Sequence, residues 1–182
     1  MRIIGGEAGG RRINPPAKMP YTRPTTDIAK EGLFNVLQHL TGFEDLDTLD
    51  LFGGTGSISY ELCSRGAASL TIVEKDEQMF SFIRKTVTSL GFEDRIRPVK
   101  MDVFKFMQQC NQQFDLIFAG PPYALTTIDE LPVQVFAQQL LKPGGIFVLE
   151  HTPRNDYQQH PRFLRMKNYG TTLFSFFLQP QP

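Results

Sequence analysis

The sequence predicts an α/β fold: a mostly parallel seven-stranded sheet with helices on both faces, ending in an antiparallel hairpin. A small basic β-hairpin extension is expected in front of it. Three observations carry this reading. Short apolar runs alternate with longer helix-like runs from residue 26 onward, as in successive βα units. The run Asp50-Leu-Phe-Gly-Gly-Thr-Gly56 sets a glycine-rich turn between a strand and a helix. Glycine there lets the backbone approach a ligand and take positive φ, and the helix start presents unpaired N–H groups and a positive dipole end. Finally, two alternating stretches, 163–169 and 171–178, meet around Asn168-Tyr169-Gly170, a hairpin signal.

Composition bounds the rest. The 182 residues suit one domain with a short extension. Apolar residues at 41% and charged ones at 21% predict a packed core. Net charge is zero, so the molecule is no polycation and a nucleic acid must be met by a local patch. Cys63 and Cys110 lack metal-ligand spacing and read as buried thiols in a reducing compartment, so no metal is predicted. The opening Met-Arg-Ile-Ile-Gly-Gly has no apolar signal core, and no run approaches bilayer length. Cytoplasmic location, no membrane partner and a monomeric state are the expectations.

Residues 1–25 differ from the rest of the chain. Arg2, Arg11, Arg12, Lys18 and Arg23 oppose only Glu7. Ile3-Ile4 and Arg12-Ile13 are short strand-like runs between glycine pairs, followed by Pro15, Pro16 and Pro20. A glycine-rich basic arm that buries little surface is a candidate phosphate contact, or else a solvated terminus. Thr25-Thr26-Asp27 then offers an N-cap for a helix over 28–40, with a stripe of Leu33, Phe34, Val36, Leu37 and Leu40. Residues 48–52 form the first core strand, apolar except for Asp50, and 57–65 the next helix. A second strand, 68–73, ends at Glu74, twenty residues beyond Gly54. At that spacing an acid accepts from ribose hydroxyls; a surface acid beside Lys75 is the plain alternative. Asp76 caps a helix over 77–90 that stops at Gly91. A third strand over 95–100 leads to Asp102, which can accept from an adenine amine, cap the helix over 103–109, or do both. The strand over 114–119 runs into Gly120-Pro-Pro-Tyr123. A helix over 133–141, closed by Lys142-Pro-Gly-Gly145, and a fifth strand over 146–150 precede the hairpin. His39, His151 and His160 are dispersed and read as surface or packing residues.

The glycine turn narrows the ligand. A dinucleotide site wants G-x-G-x-x-G/A, and reading from Gly54 the last position is Ser59. No G-K-[ST] follows, which excludes a P-loop. The form D-x-F-x-G-x-G looks like the first motif of the S-adenosylmethionine (SAM) methyltransferases, whose Rossmann-like fold carries an antiparallel strand near one edge.

With these pieces placed, nearly the whole chain resembles the RsmD-type methyltransferases, which modify a guanine exocyclic amine in small-subunit ribosomal RNA. The resemblance rests on Met-Arg-Ile-Ile with Gly10-Arg11, Arg23-Pro-Thr…Glu31…Leu33-Phe-Asn35, the turn over 50–56, Glu74, Asp102 and the strand into Pro-Pro-Tyr. It implies SAM as cofactor, with Asp50, Gly54, Gly56, Glu74 and Asp102 lining it. The implied set also takes in Phe52, Gly53, Lys75, Val103 and Thr25. It implies ribosomal RNA or a small-subunit assembly particle as partner, touched by Arg2, Arg11, Arg12 and Arg23. The implied division is a basic RNA-binding arm over 1–25 and a methyltransferase domain over 26–182.

One position departs from the family. Its pattern after the fourth strand is D/N-P-P-Y/F, and here position 120 is Gly. In related amino-methyltransferases the Asp or Asn side chain and the first proline's carbonyl accept the two amine N–H bonds, while the aromatic stacks on the base. Gly120 supplies no side chain, which leaves the Pro121 carbonyl, Pro122 and Tyr123 to form the catalytic turn. Open beside transfer to guanine are a SAM-binding homologue with little or no catalysis, an amino-methyltransferase for DNA or protein glutamine, and a nucleotide-dependent oxidoreductase.

Overall fold

The computed structural model describes residues 1–18 and 25–182. Its helices are α1 (Asp27–Leu40), α2 (Ser57–Ser64), α3 (Glu77–Leu90), α4 (Val103–Gln109) and α5 (Glu130–Ala137). The strands are β1 (Asp47–Leu51), β2 (Ser69–Val73), β3 (Ile96–Val99), β4 (Phe114–Ala119), β5 (Leu141–His151), β6 (Phe163–Tyr169) and β7 (Thr172–Leu178). They form one sheet in the order β3-β2-β1-β4-β5-β7-β6. The first five are parallel, and β7 runs antiparallel to both neighbours. Gly170 takes φ +68° in the two-residue turn between β6 and β7, which glycine tolerates without a Cβ penalty.

Strand alternation splits the core into two layers. Leu116 and Phe118 face a layer with Leu33, Phe34 and Leu37 of α1, Ile58 and Leu62 of α2, and Ile83 and Val87 of α3. Leu49, Leu51, Ile117 and Ala119 face the other, with Phe106 and Met107 of α4 and Leu131 and Val135 of α5. Both faces being covered, β1 and β4 read as continuous apolar runs. Helix starts follow local chemistry: Thr26 accepts from the Ala29 N–H at 3.2 Å and Asp76 from the Met79 N–H at 3.0 Å.

Two expected boundaries move. α5 begins at Glu130 and ends at Ala137 rather than covering 133–141. Pro132 stands in its first turn, where the missing N–H has no intrahelical partner to lose. The Lys142-Pro-Gly-Gly145 segment is not a turn but the start of β5. The Gly144 N–H donates to the Gln179 carbonyl at 2.8 Å and the Gln179 N–H to the Gly145 carbonyl at 2.9 Å. Lys142 also holds Asp47 and Asp115 at 2.8 and 3.1 Å.

The arm does bury surface, against expectation. It is a narrow hairpin with one bridge, Arg2 to Arg12, and Ile3, Ala8 and Ile13 enter the first core layer. Glu61 of α2 fastens it, accepting from the Ile4 and Gly5 N–H groups at 2.9 and 2.8 Å. Glu61 also pairs with Lys30 of α1 at 3.2 Å and Arg65 at 2.8 Å. Burial alone would push its carboxyl up, but those amides, Arg65 and the Lys30 charge hold it below the usual range.

Candidate cofactor and base site at the sheet's carboxyl edge

Parallel register assembles the site. Leu51 pairs with Val73 and Ala119, and Ala119 pairs with Leu149. The residues that follow β1, β2 and β4, Phe52, Glu74 and Gly120, therefore leave the sheet at the same level, and Glu150, still within β5, stands abreast of Gly120. β1 and β4 sit side by side at the centre, where the chain order reverses and open α/β sheets take their ligands.

The loop after β1 is shaped by steric necessity. Phe52, Gly54 and Gly56 take φ of +63°, +59° and +83°. A Cβ on Gly53 would meet the Ile72 side chain at 2.5 Å, and one on Gly56 the Tyr60 ring at 2.3 Å. Tyr60 is fully buried, so Gly56 is the residue that lets the loop lie down on α2. A left-handed φ at a phenylalanine is rare; here it turns the chain out of β1 into the cradle.

Glu74 closes the cradle. One carboxylate oxygen accepts from the Gly54 N–H and the other from the Asp76 N–H, both at 2.9 Å. Each oxygen keeps a second lone pair, which suits a diol. Asp50 lies beneath the loop, 3% exposed, and accepts from the Ser59 hydroxyl at 2.8 Å. Burial pushes its carboxyl up to about 8, opposed by the Ser59 bond and reinforced by the charges of Glu74 and Glu150. Asp102 caps α4, accepting from the Phe104 and Lys105 N–H groups at 3.0 and 3.2 Å. Lys75 is exposed beside Glu74, and the Val103 side chain is packed in the second core layer.

Across β4, the Gly120 N–H reaches the Leu51 carbonyl at 3.4 Å. Pro121 is buried, Pro122 half-buried and Tyr123 50% exposed. Thr25, grouped with the cofactor residues by the sequence, stands beside β5, its hydroxyl donating to Glu150 Oε1 at 2.6 Å. The arginines are spread out. Arg2 is 3.8 Å from Asp27 at the start of α1. Arg11 donates to the Ser89 carbonyl at 3.0 Å in the last turn of α3, a helix length from Glu74. Arg12 is exposed, and Arg23 lies outside the described residues. A groove of about 450 Å³ between α1 and β6 is lined by Glu31, Asn35, His39, Arg165 and Lys167 among others; Glu31 and Asn35 come from the segment that carries the resemblance, while the glycine turn, Glu74, Asp102 and the Pro-Pro-Tyr turn lie outside it.

A site built this way, with a carboxylate at the exit of β2 and a glycine elbow beside it, fits an adenosyl ligand. The family described as conserved hypothetical protein 95 matches residues 1–178. The chain belongs to this family. It is 33% identical over 130 residues to ribosomal RNA small subunit methyltransferase D of Escherichia coli K12, an alignment covering 71% of this chain and 64% of that protein. The chain thus matches just under two thirds of that relative's length. It is 29% identical over 154 residues to the putative rRNA methyltransferase YlbH of Bacillus subtilis, 83% and 82% of the two chains. The solved putative methyltransferase yhhF from Escherichia coli superposes with a TM-score of 0.85 at 26% identity, covering 100% and 99%. An RNA methyltransferase from Salinibacter ruber in complex with S-adenosyl-L-homocysteine shares the fold, with a TM-score of 0.68 at 16% identity over 88% and 95%.

Sequence reasoning missed Glu150, the Ser59–Asp50 bond and the Glu61 anchor. A signal for Glu150 was there: like the strand ending at Glu74, the run over 146–149 ends in an acid.

Proposed function

We propose that this chain is a SAM-dependent methyltransferase that methylates the exocyclic amine of a guanine in small-subunit ribosomal RNA. The observation that carries the proposal is the common exit level of β1, β2 and β4, with a glycine elbow and Glu74 beside a Pro-Pro-Tyr turn. In this reading Asp50, Phe52, Gly53, Gly54 and Gly56 hold the methionine end of SAM. Glu74, with Lys75 beside it, takes the ribose, and Asp102 and Val103 the adenine. The bound cofactor supplies an electrophilic methyl group on a sulfonium. The chain's own work is to position the reactants and exclude water, which matter most for an in-line displacement. The buried Pro121 carbonyl accepts one amine N–H bond, Pro122 shapes the turn, and the half-exposed Tyr123 ring stacks on a base swung out of its helix. The arm over 1–25 presents Arg2, Arg11, Arg12 and Arg23 to phosphates, and 26–182 carries the chemistry, in the cytoplasm and as a monomer.

Incubation with labelled SAM and immature small-subunit RNA, followed by nucleoside digestion, tests this. Label in N2-methylguanosine is expected; label in another nucleoside, or in none, overturns the guanine assignment. Gly120 favours one other reading, a homologue that binds SAM without turnover, and the same assay separates the two.

A further inference from the structure

We propose that Glu150 supplies the carboxylate that position 120 lacks, accepting the second N–H of the target amine, with Thr25 as its positioning residue. The inference rests on the amine-methylation reading above and deepens it. Its ground is geometric. A Cβ built on Gly120 would lie 4.0 Å from Glu150 Oε1, in van der Waals contact. A side chain at 120 and the Glu150 carboxylate therefore address the same space. The strand register agrees, since Ala119 pairs with Leu149 and Glu150 stands abreast of Gly120. Glu150 is half-buried, its backbone paired with Phe174 of β7, so its stem is fixed by the sheet. The Thr25 hydroxyl donates to Oε1 at 2.6 Å, and a carboxylate oxygen accepts more than one donor. The Phe118 ring, 3.1 Å from the virtual Cβ, floors the space.

In the reaction, the guanine N2 lone pair forms a bond to the methyl carbon as the carbon–sulfur bond breaks, its electron pair staying on sulfur as a neutral thioether. The nitrogen, now cationic, gives one proton to the Glu150 carboxylate, which passes it to water. The carboxylate both aims the amine and stabilises the charge growing on it, a contribution typically of about 10²–10³ in rate.

The test combines binding and turnover. A target RNA hairpin carrying inosine at the methylated position lacks the 2-amine. Wild-type protein should bind the guanine hairpin about tenfold more tightly than the inosine one, the worth of a hydrogen bond to a charged group. Glu150→Ala should lose most of that preference, keeping only what the Pro121 carbonyl supplies, lose about 10²–10³ in kcat, and keep its SAM affinity within about threefold, which shows that it is folded. Glu150→Gln, which keeps an acceptor, should lose less than Glu150→Ala. Placing Gly120→Asp in the Glu150→Ala background should restore both the guanine preference and at least about tenfold in kcat, the sign of one shared space. Phe118 needs to yield only a few tenths of an ångström for it. Thr25→Val should lower kcat, and Thr25→Ser should restore it. If Glu150→Ala keeps the full guanine preference or the wild-type kcat, the inference is overturned while the proposed function stands. If wild-type protein transfers no methyl group to the RNA, the function itself has failed.

Discussion

Replacing Glu61 by glutamine tests how the arm is fastened to the α/β body. The Lys30 and Glu61 side chains are 2% and 0% exposed, so solvent cannot replace the lost charge. Lys30 would keep its 2.7 Å bond to the Arg2 carbonyl and its 3.2 Å bond to the Ser57 hydroxyl, but its ammonium would stand without a counter-charge. Removing one member of a buried pair costs about 3–5 kcal/mol. Arg65, 18% exposed, is better solvated and adds less. With a urea slope of about 2 kcal/mol per molar, the midpoint should fall by roughly 2 M, and the Tm by roughly 10 °C. The assay is urea unfolding at neutral pH followed by circular dichroism. Amide exchange should also speed up at Ile4 and Gly5, whose N–H groups Glu61 accepts. Substituting both partners, Lys30→Met with Glu61→Met, should recover most of the loss because no lone charge stays buried. A single-variant loss below about 1 kcal/mol, the size of an exposed pair, would refute the reasoning.

Gly56→Ala should destabilise by about 2–4 kcal/mol and abolish SAM binding, since the new methyl meets the Tyr60 ring at a left-handed φ; thermal unfolding with and without SAM reads both. SAM affinity should rise with pH up to about 8, because a cationic ligand favours the ionised form of Asp50, whose carboxyl burial pushes up to about 8. Calorimetry in buffers of different ionisation heat should record proton release, and Asp50→Asn should flatten the profile. Burial lowers the proton affinity of His151, which bonds the Thr152 carbonyl and the Ser175 hydroxyl. The unfolded state then takes up the proton first, so stability should fall as pH drops below the ordinary histidine range, about 6.5; His151→Gln should show a shallower fall in urea midpoint. Charge reversal of Arg11 and Arg12 should weaken RNA binding at low salt and reduce its salt slope by about one per lost phosphate contact, as filter binding would show.

Much of this fold was readable because local and global signals agree. Asp76 and Gly91 bracket α3 where a cap and a stop were expected, and Phe114–Ala119 reads as a buried strand and is one. The misplaced segment, 130–145, is where they conflict. Pro132 and the Pro-Gly-Gly run look like breakers, but one falls in a first helical turn and the other in a paired strand end, which only tertiary partners decide. The arm misled for a similar reason: Glu61, the residue that fastens it, is 57 positions away from Ile4. In the site, the spacing from Gly54 to Glu74 was legible because one βα unit fixes it, and the carboxylate does bond the Gly54 amide. Glu150 was not, because its nearness to Gly120 depends on the pairing of β4 with β5 across an intervening helix.

The central claim is that the carboxyl edge of the sheet grips an adenosyl sulfonium through Glu74 and the glycine elbow. Isothermal titration of the purified protein with SAM and, separately, with NAD tests it most directly. Saturable one-to-one binding of SAM is predicted, weakened about tenfold or more by Glu74→Gln, with no heat from NAD. Tight binding of NAD, or a flat titration with SAM, would contradict it.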